Sequence, residues 1–102
     1  MFEYDYRPSG DFSFNEIQRI ADISRNIWDD DPDIYEFLNN LGDPLWIIYD
    51  SDYEIHLELH SNLTFDEKYK IIRLFKETVD AAVAYVVKEN APWVFSILSP
   101  PL

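Results

Sequence analysis

Two histidines and two glutamates alternate in the segment EIHLELH, residues 54–60. Side chains two positions apart on a strand lie on the same face, so Glu54, His56, Glu58 and His60 would form one polar row. Imidazole and carboxylate groups are ligands for zinc and related divalent ions. One hypothesis is therefore a metal-binding protein or enzyme that uses His56, Glu58 and His60. The competing interpretations are a solvated polar face and a contact surface for a partner protein.

A second pattern is the acidic run at residues 29–36, which holds five carboxylates: Asp29, Asp30, Asp31, Asp33 and Glu36. Calcium chemistry matches this run poorly. Aligned with an EF-hand loop, it has Ile34 where glycine is required and Asn40 where the bidentate glutamate belongs. The aromatic residues among or near the acids are of the types that form binding hot spots, although core packing is the alternative for each of them. They are Trp28, Tyr35, Phe37, Tyr49 and Tyr53.

Helix-start signals explain part of the acidic run. Ser13 and Glu16 have capping-box spacing, which predicts a helix over about residues 14–28. Asp31 is suited to the N-cap of a second, shorter helix, with Pro32 at its first position and Asp33 at the positive end of its dipole. Gly42 is placed to end that helix. The local structure gives no reason for Asp29, Asp30 or Glu36.

Strand signals complete the predicted fold. Residues 2–6 alternate apolar and acidic, residues 45–49 and 53–59 read as a hairpin around 50–52, and residues 93–98 read as a last strand. A capping box at Thr64 and Glu67 predicts a long helix to about Glu89, with this apolar stripe: Phe65, Tyr69, Ile72, Phe75, Val79, Val83 and Val86. The order β-α-(α)-β-β-α-β predicts a single-domain α+β fold over residues 1–102. Its antiparallel sheet has helices on one face and its first and third strands adjacent, as in the ferredoxin-like pattern.

That strand order has a consequence for the polar row. Glu3 and Asp5 of the first strand would lie beside Glu54 and Glu58, and like charges that face each other across strands are destabilising. A cationic partner would compensate for this repulsion. Glu3 or Asp5 would also supply the further ligand that a metal site requires.

The net charge is −12, and residues 1–60 carry all of the excess, with 15 acidic residues against Arg7, Arg19 and Arg25. Such a field disfavours nucleic acid and anionic membranes as partners and favours a basic protein. The chain has no cysteine, no basic apolar leader and no run of transmembrane length, which predicts a cytoplasmic protein. No phosphate loop or nucleophile motif is present. The sequence therefore indicates neither an enzyme nor a cofactor.

In size, charge and aromatic content the chain is similar to small acidic immunity proteins, which protect a bacterium from a nuclease toxin. We expect a small acidic inhibitor that binds and neutralises a basic protein. A phage-type nucleic-acid mimic that inhibits a host defence nuclease is the alternative. The first predicted contact patch consists of Asp29, Asp30, Asp31, Asp33, Tyr35 and Glu36. The second consists of Asp50, Asp52, Glu54 and Glu58.

Overall fold

The computed structural model describes residues 1–90, which form three helices and a three-stranded antiparallel sheet. The elements in chain order are β1 (Phe2–Tyr6), α1 (Phe14–Asp30), α2 (Pro32–Asn40), β2 (Trp46–Ser51), β3 (Glu54–Leu59) and α3 (Phe65–Asn90). The predicted α+β class is confirmed. The strand predicted at 93–98 lies outside the described residues.

Both predicted capping boxes form. The Ser13 hydroxyl accepts a hydrogen bond from the Glu16 amide, and the Glu16 carboxylate accepts one from the Ser13 amide at 2.8 Å. Thr64 and Glu67 make the same reciprocal pair at the start of α3. Each box satisfies two amides that a helix start leaves without a partner. Short-range sequence therefore fixes where the first and last of the three helices begin.

Asp31 joins α1 to α2. Its carboxylate accepts hydrogen bonds from the amides of Asp33 at 2.8 Å and Ile34 at 3.3 Å, and its own amide donates to Ile27 of α1. Gly42 follows α2 with φ +90°, which a glycine adopts without steric cost. The helix-start role predicted for Asp31 is confirmed.

Replacing Asp31 by alanine should lower the free energy of unfolding by about 0.5–2 kcal/mol, because two α2 amides lose their acceptor. Asp31→Asn should remain close to the wild-type stability, since asparagine also caps helices well. Urea unfolding of the three proteins measures the difference. Equal losses in both variants would show that Asp31 stabilises the chain through its charge and not through capping.

The central strand of the described sheet is β3, which pairs with β1 on one side and β2 on the other. Glu3 lies opposite Glu58, and Asp5 lies opposite His56. On the other side Tyr49 lies opposite His56. The predicted adjacency of the first and third strands is confirmed, and it brings residues from all three strands to one place on the sheet.

The core lies between the sheet and the helices. Ile55, Leu57 and Leu59 of β3 are fully buried, and α1 and α3 cover this face while α2 packs beside α1. Trp28 of α1 meets Phe75 of α3 edge to face, with ring centroids 5.9 Å apart. Since β3 alternates, its other side chains are left on the face away from these helices.

Three details of the predicted pattern are wrong. Tyr53 is a turn residue with φ +63°, so the strand begins one position later, at Glu54. His60 is exposed and lies just beyond the end of β3, outside the polar row. Phe65 and Tyr69, assigned to the apolar stripe of α3, are 83% and 70% exposed.

Among the helices within residues 1–90, none combines the length and the apolar composition that a membrane-spanning segment requires.

Candidate functional site

The face of the sheet opposite the helices has a distinct composition. The strand side chains whose alternation places them on this open face are Glu3, Asp5, Ile47, Tyr49, Ser51, Glu54, His56 and Glu58. Four are carboxylates, and none is lysine or arginine. Antiparallel sheets often present one face to solvent, but here that face is acidic and also has exposed apolar and aromatic groups. We refer to these eight residues as the open face.

His56 lies at the centre of the open face. Its Nδ1 is 2.6 Å from an Asp5 oxygen, and its Nε2 is 3.2 Å from Glu58 Oε1 and 3.9 Å from Glu3 Oε1. The ring stacks at a tilt against Tyr49, with centroids 4.7 Å apart. Only 12% of the side chain is exposed. The sheet register explains the cluster, because Asp5 and Tyr49 are the residues directly opposite His56.

The partners of His56 determine its proton positions. An ionised carboxylate only accepts hydrogen bonds, so Nδ1 carries the hydrogen that faces Asp5. Burial of the ring favours the neutral form, but the hydrogen bonds and charges of Asp5 and Glu58 outweigh it and raise the pKa of His56. The cluster is thus arranged to hold positive charge at the imidazole.

Tyr49 and Ile47 give the open face its non-ionic contact area. The Tyr49 hydroxyl donates to Glu58 Oε1 at 3.2 Å, which fixes the tyrosine beside the histidine. Ile47 lies two residues before Tyr49 on β2, opposite Glu58, and its side chain is exposed. An aromatic ring and an aliphatic side chain surrounded by charges have the arrangement of a binding hot spot with a polar rim.

The second predicted contact patch is divided by the structure. Glu54 and Glu58 lie on the open face as expected. Asp50 has the opposite orientation in β2, on the side of buried Ile48, and Asp52 lies in the hairpin turn with φ +51°. Asp50 therefore does not share a strand face with the two glutamates, because β2 continues through it. The contact role of the second patch stays a prediction.

The acidic run at residues 29–36 is also divided. Asp30 and Asp31 border a groove between α1 and α3. Asp33 and Glu36 border a different groove, where Lys70 and Arg73 of α3 lie beside them. The carboxylates that the sequence grouped together therefore border two grooves, and the second groove also contains basic side chains.

Asp29 and Asp30 have no stabilising role in their own helix. Both are exposed in the last turn of α1, which has no basic residue, and the negative end of a helix dipole disfavours carboxylates. Local structure accounts for Asp31 and not for these two. They remain the part of the first predicted patch without a structural explanation.

The aromatic residues near the acids fall into two groups. Trp28 and Phe37 belong to the core, with Trp28 only 1% exposed. Tyr35 is 69% exposed, and Tyr49 and Tyr53 are also exposed. Core packing is thus the role of the first two, and only the three tyrosines are accessible to a partner.

Two of the three arginines in residues 1–60 pair with carboxylates of the same chain. Arg19 of α1 binds Glu89 of α3 at 2.9 Å, and this pairing lowers the pKa of Glu89. Arg25 contacts Asp22 and donates to the Ile48 carbonyl at 2.8 Å. Their charges are therefore directed away from the open face.

The sequence alone does not show that Ile47 is exposed on the open face or that Asp5 contacts His56. Ile47 belongs to an apolar run that predicts a strand without showing which face its side chains take. Comparison with known proteins gives no further guidance, because no family model, curated protein or solved structure matches the chain. The candidate site therefore depends on its own geometry.

Proposed function

We propose that this protein is a small acidic inhibitor that binds and neutralises a basic protein, as an immunity protein does with a bacterial nuclease toxin. The observation that carries the proposal is the composition of the open face. Four of its eight side chains are carboxylates, none is a lysine or an arginine, and Tyr49 and Ile47 are exposed on it. The protein acts by binding and not as an enzyme.

The charge distribution supports a basic partner. Glu3 lies directly opposite Glu58, and their repulsion costs stability in the free sheet whenever His56 between them is neutral. Lysine or arginine side chains from a partner would relieve this repulsion, so part of the binding energy would come from the strain of the free state. The remaining negative charge of the chain would speed encounter with a basic surface.

A nuclease is the class of basic protein that fits this surface. A nuclease must bind a row of phosphates, so its substrate cleft is lined with cationic side chains. Carboxylates two positions apart on a strand are about 6.6 Å apart. Glu3 and Asp5 of β1 have this spacing, and Glu58 lies across from Glu3 on β3. This group of carboxylates would occupy the cleft in place of the nucleic-acid backbone, while Tyr49 would add contact area that a purely charged surface lacks.

Capture of the partner from the source cells, followed by a salt titration of the complex, tests the proposal. The captured protein should cleave nucleic acid, and addition of this protein should inhibit that cleavage. The association rate should fall by about tenfold or more between about 50 mM and about 200 mM salt, because steering is screened. A complex indifferent to salt, or a partner with no inhibited nuclease activity, would overturn the proposal.

A further inference from the structure

Three side chains with metal-binding atoms converge on the open face. Ligand atoms of Glu3, His56 and Glu58 all lie within 4.8 Å of one another. They come from two adjacent strands, and Glu3 and Glu58 are direct cross-strand partners. Backbone pairing therefore fixes the relative positions of the three Cα atoms, from which the side chains reach one another.

The distances are close to those in the coordination sphere of a small divalent ion. Donor atoms about 2.0–2.2 Å from a tetrahedral ion lie about 3.3–3.6 Å from one another. The Nε2 of His56 is 3.2 Å from Glu58 Oε1, just below this range, and 3.9 Å from Glu3 Oε1, just above it. Glu3 is 54% exposed, so its side chain has room to rotate towards an ion.

Asp5 prepares His56 for this role. It lies 2.6 Å from Nδ1, so the Nδ1 hydrogen points to a carboxylate, and a metal ion that displaces the Nε2 proton would meet the Nε2 lone pair between the two glutamates. Metal-binding histidines almost always have such a carboxylate or carbonyl on the second nitrogen, which fixes the tautomer and raises the basicity of the ligand.

We infer that Glu3, His56 and Glu58 form a binding site for a divalent transition-metal ion of the zinc class, with Asp5 orienting the histidine. An imidazole ligand favours zinc, nickel or copper over magnesium and calcium, which prefer oxygen alone. One nitrogen and two carboxylates leave a fourth position open to solvent. The ion would also remove the repulsion between Glu3 and Glu58.

This assignment differs from the set that the sequence suggested. His60 was expected to act with His56 and Glu58, but it lies beyond β3 and is absent from the cluster. Glu3 takes its place as the third ligand. The chain therefore contains its own matched control, because His56 and His60 have the same side chain and only His56 belongs to the site.

Calorimetric titration of the chelator-treated protein with zinc chloride tests the inference. One equivalent should bind to the wild type, and His56→Ala and Glu58→Gln should each abolish the saturable binding. His60→Ala should bind as the wild type does. Asp5→Asn, which changes only the group behind the histidine, should weaken binding by about 10–100-fold. Urea unfolding of each variant without metal checks that the fold is retained.

Two results would overturn the site. One is zinc binding by His56→Ala with the wild-type affinity, and the other is an equal loss in His60→Ala. Competition by equimolar magnesium would exclude the proposed class of ion. These measurements use the free protein, so they are independent of the proposed inhibitor function. Failure of zinc binding would leave that function intact, and failure to inhibit a nuclease would leave the metal site intact.

Discussion

Replacing Trp28 by alanine should lower the free energy of unfolding by about 3–5 kcal/mol, the loss typical of a buried aromatic residue. Trp28 is 1% exposed, and its ring contacts Trp46 at a centroid distance of 5.7 Å and Phe75 at 5.9 Å. Removal of the indole would leave a cavity where α1, α3 and the sheet meet. Such a loss is a large share of the total stability of a domain of this size.

Tyr35→Ala is the matched control. It removes another large aromatic ring near the acidic run, but from a side chain that is 69% exposed, so the change in stability should be within about 0.5 kcal/mol. Urea unfolding measures both effects. The comparison is valid when the dependence of the unfolding free energy on urea concentration is the same in each protein. If Trp28→Ala were as stable as the wild type, Trp28 would be a surface residue free for a partner, and the assignment of the core would be wrong.

Neutralising the open face should weaken binding to the basic partner by about 100-fold or more, because central contact residues each contribute about 1–3 kcal/mol. The variant combines Glu3→Gln, Asp5→Asn, Glu54→Gln and Glu58→Gln. The comparison variant neutralises the helical acids with Asp29→Asn, Asp30→Asn, Asp33→Asn and Glu36→Gln. Each variant removes four carboxylates, so the two variants have the same formal net charge as each other.

Because both variants lose the same number of charges, their comparison distinguishes direct contact with the partner from long-range electrostatic attraction. Both variants should lose the same part of the long-range attraction, which acts mainly on the association rate. Only the open-face variant should also dissociate faster, with the helical variant losing less than about tenfold in affinity. Surface plasmon resonance at physiological salt gives both rates. If the helical variant dissociated faster instead, the acidic run at 29–36 would be the contact surface, and the open face would be an ordinary solvated face.

The sequence by itself determined the elements whose causes are local. Both capping boxes, the Asp31 N-cap and the Gly42 turn depend on residues within four positions of one another, and all four were predictable. The alternation of β3 also places Ile55, Leu57 and Leu59 on the opposite face from the polar row, and the structure buries all three. The excess negative charge is likewise a property of composition. None of these features requires knowledge of the tertiary contacts.

The limits of α3 show where local pattern fails. Phe65 and Tyr69 fit the helical stripe, yet both are exposed. The buried residues of α3 are Ile71, Leu74, Phe75, Thr78, Val79, Ala82 and Val86. At about 3.6 residues per turn, this face is rotated away from Phe65 and Tyr69. Periodicity predicts that a helix has an apolar face, but only the tertiary structure decides which of two overlapping apolar stripes is covered.

The site itself depends on tertiary structure. The sequence showed that Glu54, His56 and Glu58 share a face, because side-chain alternation is a local property of a strand. Only the pairing of β1 with β3 places Asp5 and Glu3 against His56, since their register joins residues more than fifty positions apart. The same packing buries Trp28, excludes His60 and divides the acidic run between two grooves. Residue types determined which chemistry is possible here, and strand register decided which residues can perform it together.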